Sequence, residues 1–143
     1  MPPHDFPFHH PFRVRYAEID MQGVLFNAHY LTFADTAVTE YLRHVGLAYT
    51  AAEVQTTGKD FHVVKATVEY KAPILFDEVV AVGVRVGRIG RSSIVWELGF
   101  FVGEEETARA TAELIWVYTD IATHQSTPIP PEMREQLTII KEQ

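Results

Sequence analysis

The hydrophobic positions along the chain change period once. Between Asn27 and Gly46, the residues Tyr30, Phe33, Ala34, Ala37, Val38, Tyr41, Leu42 and Val45 recur at i, i+3, i+4, i+7, which predicts one long amphipathic helix. Thr32, Asp35, Thr39, Glu40 and Arg43 take its opposite face, with Asn27 suited to capping the start and Gly46 to ending it. Thr50 and Glu53 resemble a capping box, placing a short second helix over 51–55. From Phe61 the period falls to two: His62, Val64, Ala66, Val68 and Tyr70 alternate with Lys65, Thr67, Glu69 and Lys71 until Pro73 ends the strand. Further strands are predicted over 78–88, 93–102 and 107–119, joined by the turns IGRS and GEEE, and connections this short force antiparallel pairing. A first strand is predicted over 12–16, ahead of the long helix, and Pro131 as an N1 residue opens a C-terminal helix over 132–141. Ala108, Ala110 and Ala112 fall on one face of the last long strand, where a helix could approach closely. The result is an α+β expectation: one long helix on a curved, five-stranded antiparallel sheet, with residues 1–143 forming a single domain.

Length and composition narrow this further. A chain of 143 residues, 47% hydrophobic, carries one sizeable core and is short for two. Twelve basic against nineteen acidic residues give a net charge of −7, which opposes broad association with nucleic acid or an anionic membrane. An anionic ligand therefore needs a local basic patch. No run approaches the ~18 apolar residues of a spanning helix, and the opening MPPHDFPFHHPF lacks the basic-then-apolar order of a signal peptide, so a soluble, cytoplasmic protein is expected. Residues 1–10 read as a mobile segment. Its His4, His9 and His10 have neither an i, i+4 helical pair nor acidic neighbours to make a metal site. The absence of cysteine removes thiolate chemistry, and none of Ser92, Ser93 and Ser126 lies in a Gly-x-Ser-x-Gly elbow. No Walker loop, dinucleotide-binding turn or HExxH pair is present, and no cofactor is called for.

The chemistry concentrates in residues 12–47, where a strand delivers Asp20 into a loop just ahead of the long helix. The first free N–H groups of that helix, near Asn27 to Tyr30, carry partial positive charge and suit an anion or a developing oxyanion. A carboxylate beside such donors is the minimum an acyl-transfer site needs. On local grounds alone a turn aspartate followed by an N-cap asparagine is the better reading.

The order Tyr16, Glu18, Asp20, Gly23, Val24, then Asn27, His29 and Tyr30, followed by TEYLRHVGL at the helix end, resembles the 4-hydroxybenzoyl-CoA thioesterase and YbgC-like branch of hot-dog proteins. The resemblance covers nearly the whole chain and implies the hot-dog fold. It implies that Asp20 attacks a thioester or activates water, that a backbone N–H near Asn27 receives the oxyanion, and that Gly23 permits the tight loop between them. Some members carry His or Tyr at the position of Asn27, so the role there is assigned to the backbone. Glu18 is read as structural or electrostatic. His29 and Tyr30 are substrate-binding candidates, although His29 also reads as an ordinary surface histidine and Tyr30, with Phe33, as core. Arg88, Arg91 and Ser92 on a hairpin are candidates for the coenzyme A phosphates, or simply solvated turn residues. The implied activity is hydrolysis of an acyl-CoA thioester. The alternatives are an acyl carrier protein thioesterase and a non-catalytic acyl-binding subunit. A homodimer or homotetramer is implied, with the strand that begins near Phe61 as its pairing edge.

Overall fold

The computed structural model describes residues 2–47 and 51–143, so Thr50 and its capping box lie outside the described residues. In chain order the elements are β1 (Phe8–Arg13), α1 (His29–His44), α2 (Ala51–Thr57), β2 (Lys59–Tyr70), β3 (Val79–Ile89), β4 (Ser93–Val102), β5 (Ala110–Asp120), the two-residue β6 (Gln125–Ser126) and α3 (Pro131–Lys141).

The predicted helix is α1. Its stripe of Tyr30, Phe33, Ala34, Ala37, Val38, Tyr41 and Leu42 is buried, no member more than 4% exposed. Its end is as predicted: Gly46 adopts φ +78°, and the Leu47 N–H donates to the Leu42 carbonyl at 2.9 Å across the last turn. Its start is not, because Ala28 occupies the N-cap position and no side chain caps the helix there. Asn27 instead enters α1 through its backbone, the Tyr30 N–H reaching its carbonyl at 3.4 Å.

The sheet runs β1-β3-β4-β5-β2, every pairing antiparallel, with β6 added to β5. Five long strands thus match the expectation, and β6 is an addition too short to carry a period. Val80, Val82, Val84, Trp96, Leu98, Phe100, Ala110 and Leu114 project from successive strands into one core with the helix stripe. Tyr41 meets Trp96 edge-on with ring centroids 6.4 Å apart, and Tyr30 tilts against Phe100 at 5.2 Å. Ala110 and Ala112 join that core, whereas Ala108 precedes β5 and packs with Phe6 and Phe101 in a separate cluster.

On β2 the alternation is broken. The register shifts between Val63 and Lys65, leaving Val64 as the bulged residue. Phe61 and Val63 therefore oppose the inward Tyr118 and Trp116, while Ala66, Val68 and Tyr70 oppose the inward Leu114, Ala112 and Ala110. His62 falls on the outer face, opposite Val117, and not with Ala66 and Val68 as the sequence period suggests. A bulge moves every later side chain to the other face, and its single extra residue leaves no compositional mark. β2 lies at one edge of the sheet, with Val63 and Val64 more than half exposed.

The N-terminal strand differs from its expectation. The first strand is Phe8–Arg13, not 12–16, and residues 2–10 contribute a short turn and the first half of that strand to the sheet. Aromatic packing is the reason. Phe8 stacks on Tyr41 at 5.0 Å and Phe12 on Phe33 at 4.4 Å, so alternate residues of β1 seal one flank of α1. After a short turn at Pro3–Asp5, Phe6 crosses the outer face, where Gly83 and Gly99 leave room for its ring. The Arg85 guanidinium lies over that ring at 5.3 Å.

The loop between β1 and α1 is built on Glu18. Its carboxylate accepts the Arg15 N–H at 2.8 Å and an Arg15 guanidinium N–H at 3.0 Å, and its carbonyl accepts the Phe26 N–H at 2.9 Å. Burial raises the Glu18 acid, but the two Arg15 hydrogen bonds, the Arg15 charge and the nearby His29 outweigh it and hold it below the usual glutamate range. This bears out the structural and electrostatic reading of Glu18, which turns back on Arg15.

Two tests follow from the packing. An alanine Cβ at Gly83 would stand 2.7 Å from Phe6 Cγ. Gly83→Ala is expected to cost about 1–3 kcal/mol in urea unfolding, and less than about 0.5 kcal/mol once Phe6→Gly has removed both the ring and the Phe6 Cβ, which would stand 2.9 Å away. Because Glu18 is more acidic folded than unfolded, its contribution is present above the ordinary value of 4.5 and lost as pH falls through the folded value. The stability gap between wild type and Glu18→Gln, about 1–2 kcal/mol at neutral pH, should therefore close on acidification.

Candidate functional site

Asp20 opens a tight turn. Its carbonyl accepts the Gly23 N–H at 3.0 Å, and its own N–H donates to the Val24 carbonyl at 3.0 Å. Gly23 takes φ +77°, a left-handed conformation that strains any residue bearing a Cβ. One carboxylate oxygen of Asp20 accepts the Gln22 N–H at 2.8 Å and lies 3.5 Å from the Val24 nitrogen. No described hydrogen bond takes the other. The turn is fixed to the strand connection after β2: the Leu25 N–H donates to the Ile74 carbonyl at 2.7 Å, and the Phe76 N–H to the Gly23 carbonyl at 3.0 Å.

Asp20 and Asn27 line one surface depression of about 320 Å³, together with Val24, Leu25, Tyr30 and the end of β2 from Tyr70 to Pro73. Among the described residues, neither the Asn27 N–H nor the Ala28 N–H is taken by an intramolecular acceptor. A half-buried carboxylate therefore shares a cavity with the residue that leads into α1. The N–H groups just ahead of the helix are free while those of His29 and Tyr30 are taken, an arrangement suited to an electrophilic carbonyl. The Tyr30 ring forms one wall, and burial, with Tyr70 beside it, pushes its hydroxyl above the ordinary range. Tyr30 thus belongs to the core and the cavity wall at once. Lys71 supplies a positive charge at the rim.

His29 lies on the far side of Asp20. With Tyr16, Met21 and Phe26 it lines a second, open depression of about 560 Å³ that also reaches Asp20. The carboxylate stands on the ridge between the two. Arg88, Arg91 and Ser92 are not brought to this place within one chain. They lie at the β3–β4 hairpin, a full strand length of about 30 Å from the Asp20 end of the sheet. There the Arg134 guanidinium holds the carbonyls of Gly90 and Arg91 at 2.5 and 2.9 Å. Among the described residues, no group of His, Asp and Glu is disposed to hold a metal ion, and no helix is long and apolar enough to cross a membrane.

Tyr70, Lys71 and Pro73 were read in the sequence only as the close of a strand. The signal that places them here is connectivity. A strand returning beside a long helix brings its last residues back to the start of that helix.

Comparison with known proteins agrees with this layout. The Thioesterase-like superfamily model matches residues 14–137. The chain is 33% identical over 113 residues to the acyl-CoA thioester hydrolase YbgC of Escherichia coli, covering 79% of this chain and 82% of that protein. It is 28% identical over 131 residues to the acyl-CoA thioesterase YbgC of Haemophilus influenzae, covering 91% and 93% respectively. A crystal structure of a Pseudomonas aeruginosa protein superposes with a TM-score of 0.86 at 28% identity, over 98% of this chain and 95% of that one. With the helix, the curled sheet and the Asp20 turn in place, the chain belongs to the thioesterase-like superfamily and has its hot-dog fold.

Proposed function

We propose that this chain hydrolyses an acyl-CoA thioester to the free acid and coenzyme A, with Asp20 as the reacting carboxylate. The observation that carries the reading is the cavity shared by Asp20 and Asn27, whose N–H, like that of Ala28 next to it, is free among the described residues. The thioester carbonyl enters with its oxygen toward those amides, which stabilise the negative charge as the carbon becomes tetrahedral. Asp20 either attacks that carbon, forming an anhydride that water then opens, or removes a proton from the attacking water. In both routes the thiolate of coenzyme A leaves. The acceptor bonds to Gln22 and Val24 hold the carboxylate in place while one oxygen stays available.

The active assembly in this proposal is a homodimer joined through β2. That strand is a sheet edge, and its exposed Val63 and Val64 gain cover from a second copy. Antiparallel pairing of two such edges sets the Tyr70 end of one chain beside the Lys59 end of the other. The hairpin carrying the partner subunit's Arg91 then lies at the same end of the joined sheet as the first chain's Asp20, which gives Arg88, Arg91 and Ser92 a route to the coenzyme A phosphates that one chain alone lacks.

Release of thiol from a panel of aromatic and aliphatic acyl-CoAs, followed with a thiol-reactive dye, tests the chemistry against no cysteine background. Asp20→Asn retains the acceptor oxygen of the turn, so stability should stay within about 0.5 kcal/mol while kcat falls about 10²- to 10³-fold. Turnover at the wild-type rate would remove Asp20 from the reaction. Light scattering should give the mass of a dimer. Replacing Val63 and Val64 together by lysine should yield monomers with kcat/KM reduced about tenfold or more; an unchanged mass would move the interface elsewhere.

A further inference from the structure

Tyr70 closes β2 at the rim of the Asp20 cavity. Its ring meets Tyr30 edge-on, centroids 4.9 Å apart and planes at 89°, and its hydroxyl donates to the Asn27 carbonyl at 3.1 Å. The residue is 54% exposed. A hydroxyl that already reaches water gains little net stability by exchanging that water for a carbonyl, so folding alone does not account for the bond. Its effect is on the partner.

The Asn27 carbonyl belongs to the peptide whose N–H, that of Ala28, is one of the proposed oxyanion donors. The Tyr30 N–H, at 3.4 Å, is its one other described donor, and a long one. The Tyr70 hydroxyl adds a second donor and fixes the direction of that oxygen. In a planar trans peptide the C=O of Asn27 and the N–H of Ala28 point opposite ways, so anchoring the first aims the second.

We infer that Tyr70 is a positioning residue for the oxyanion donors: its hydroxyl clamps the Asn27–Ala28 peptide from the end of the edge strand. The inference rests on the reading in which those amides receive the thioester oxygen.

The test is Tyr70→Phe, which keeps the ring against Tyr30 and removes only the hydroxyl. With benzoyl-CoA or hexanoyl-CoA, whichever wild type turns over faster, kcat should fall about tenfold while KM stays within about twofold. The melting midpoint should stay within about 2 °C. The same acyl-CoA, labelled with carbon-13 at the thioester carbonyl and bound to slow Asp20→Asn protein, should show its carbonyl stretch lowered by the donors. Adding Tyr70→Phe should return the band toward its position in free solution. Unchanged kcat overturns the inference, and so does a fall in kcat with no movement of the band. If Asp20→Asn turns over at the wild-type rate while Tyr70→Phe alone lowers kcat at constant KM, the assignment of Asp20 fails and that of Tyr70 survives.

Discussion

A single helix of sixteen residues can bury its apolar stripe only if the sheet bends around it, and that enclosure governs everything else in the molecule. A flat sheet would leave Tyr30 or Tyr41 open at one end. The bend has local causes, with register shifts on β2 at Val63/Lys65 and on β3 at Val86/Arg88. The flank that the long strands leave is closed by β1, whose Phe8 and Phe12 stack on the helix.

Enclosure of the helix also makes the site. Once α1 is held inside the sheet, its first turn must emerge at one rim, where the Asp20 turn and the end of β2 also arrive. None of these pieces is unusual by itself: an aspartate in a turn, two free amides, a tyrosine closing a strand. The fold brings them to one depression and fastens the turn to the strand connection with the Leu25 and Phe76 backbone bonds. Glu18, bound back on Arg15, keeps the loop from spreading into the space that Asp20 faces.

Much of this was legible in the sequence because α1 and β4 keep a clean period. The helix stripe appears residue for residue in the core, and β4 has the boundaries its alternation predicts. Asp20, Gly23 and Asn27 were legible because their order is that of the family, not because their local chemistry is distinctive. What was missed has physical reasons. The bulge at Val64 breaks the period without altering composition. The histidine- and proline-rich N-terminus looks unstructured until the glycines that receive Phe6 are known to lie side by side on neighbouring strands. Asn27 is a good capping residue in general, yet here the turn leading into α1 consumes it. The hairpin arginines could not be placed relative to Asp20 because sequence does not say which end of a strand faces which end of a helix.

The two margins of the sheet differ in one atom-level respect. β1, which forms the far margin, has Pro11 at its middle, a residue with no N–H to offer a neighbour. A chain with two open margins could add copies indefinitely and grow into a fibre. On the β1 margin a strand from another copy would meet a residue that interrupts the ladder, which disfavours edge-to-edge growth on that side.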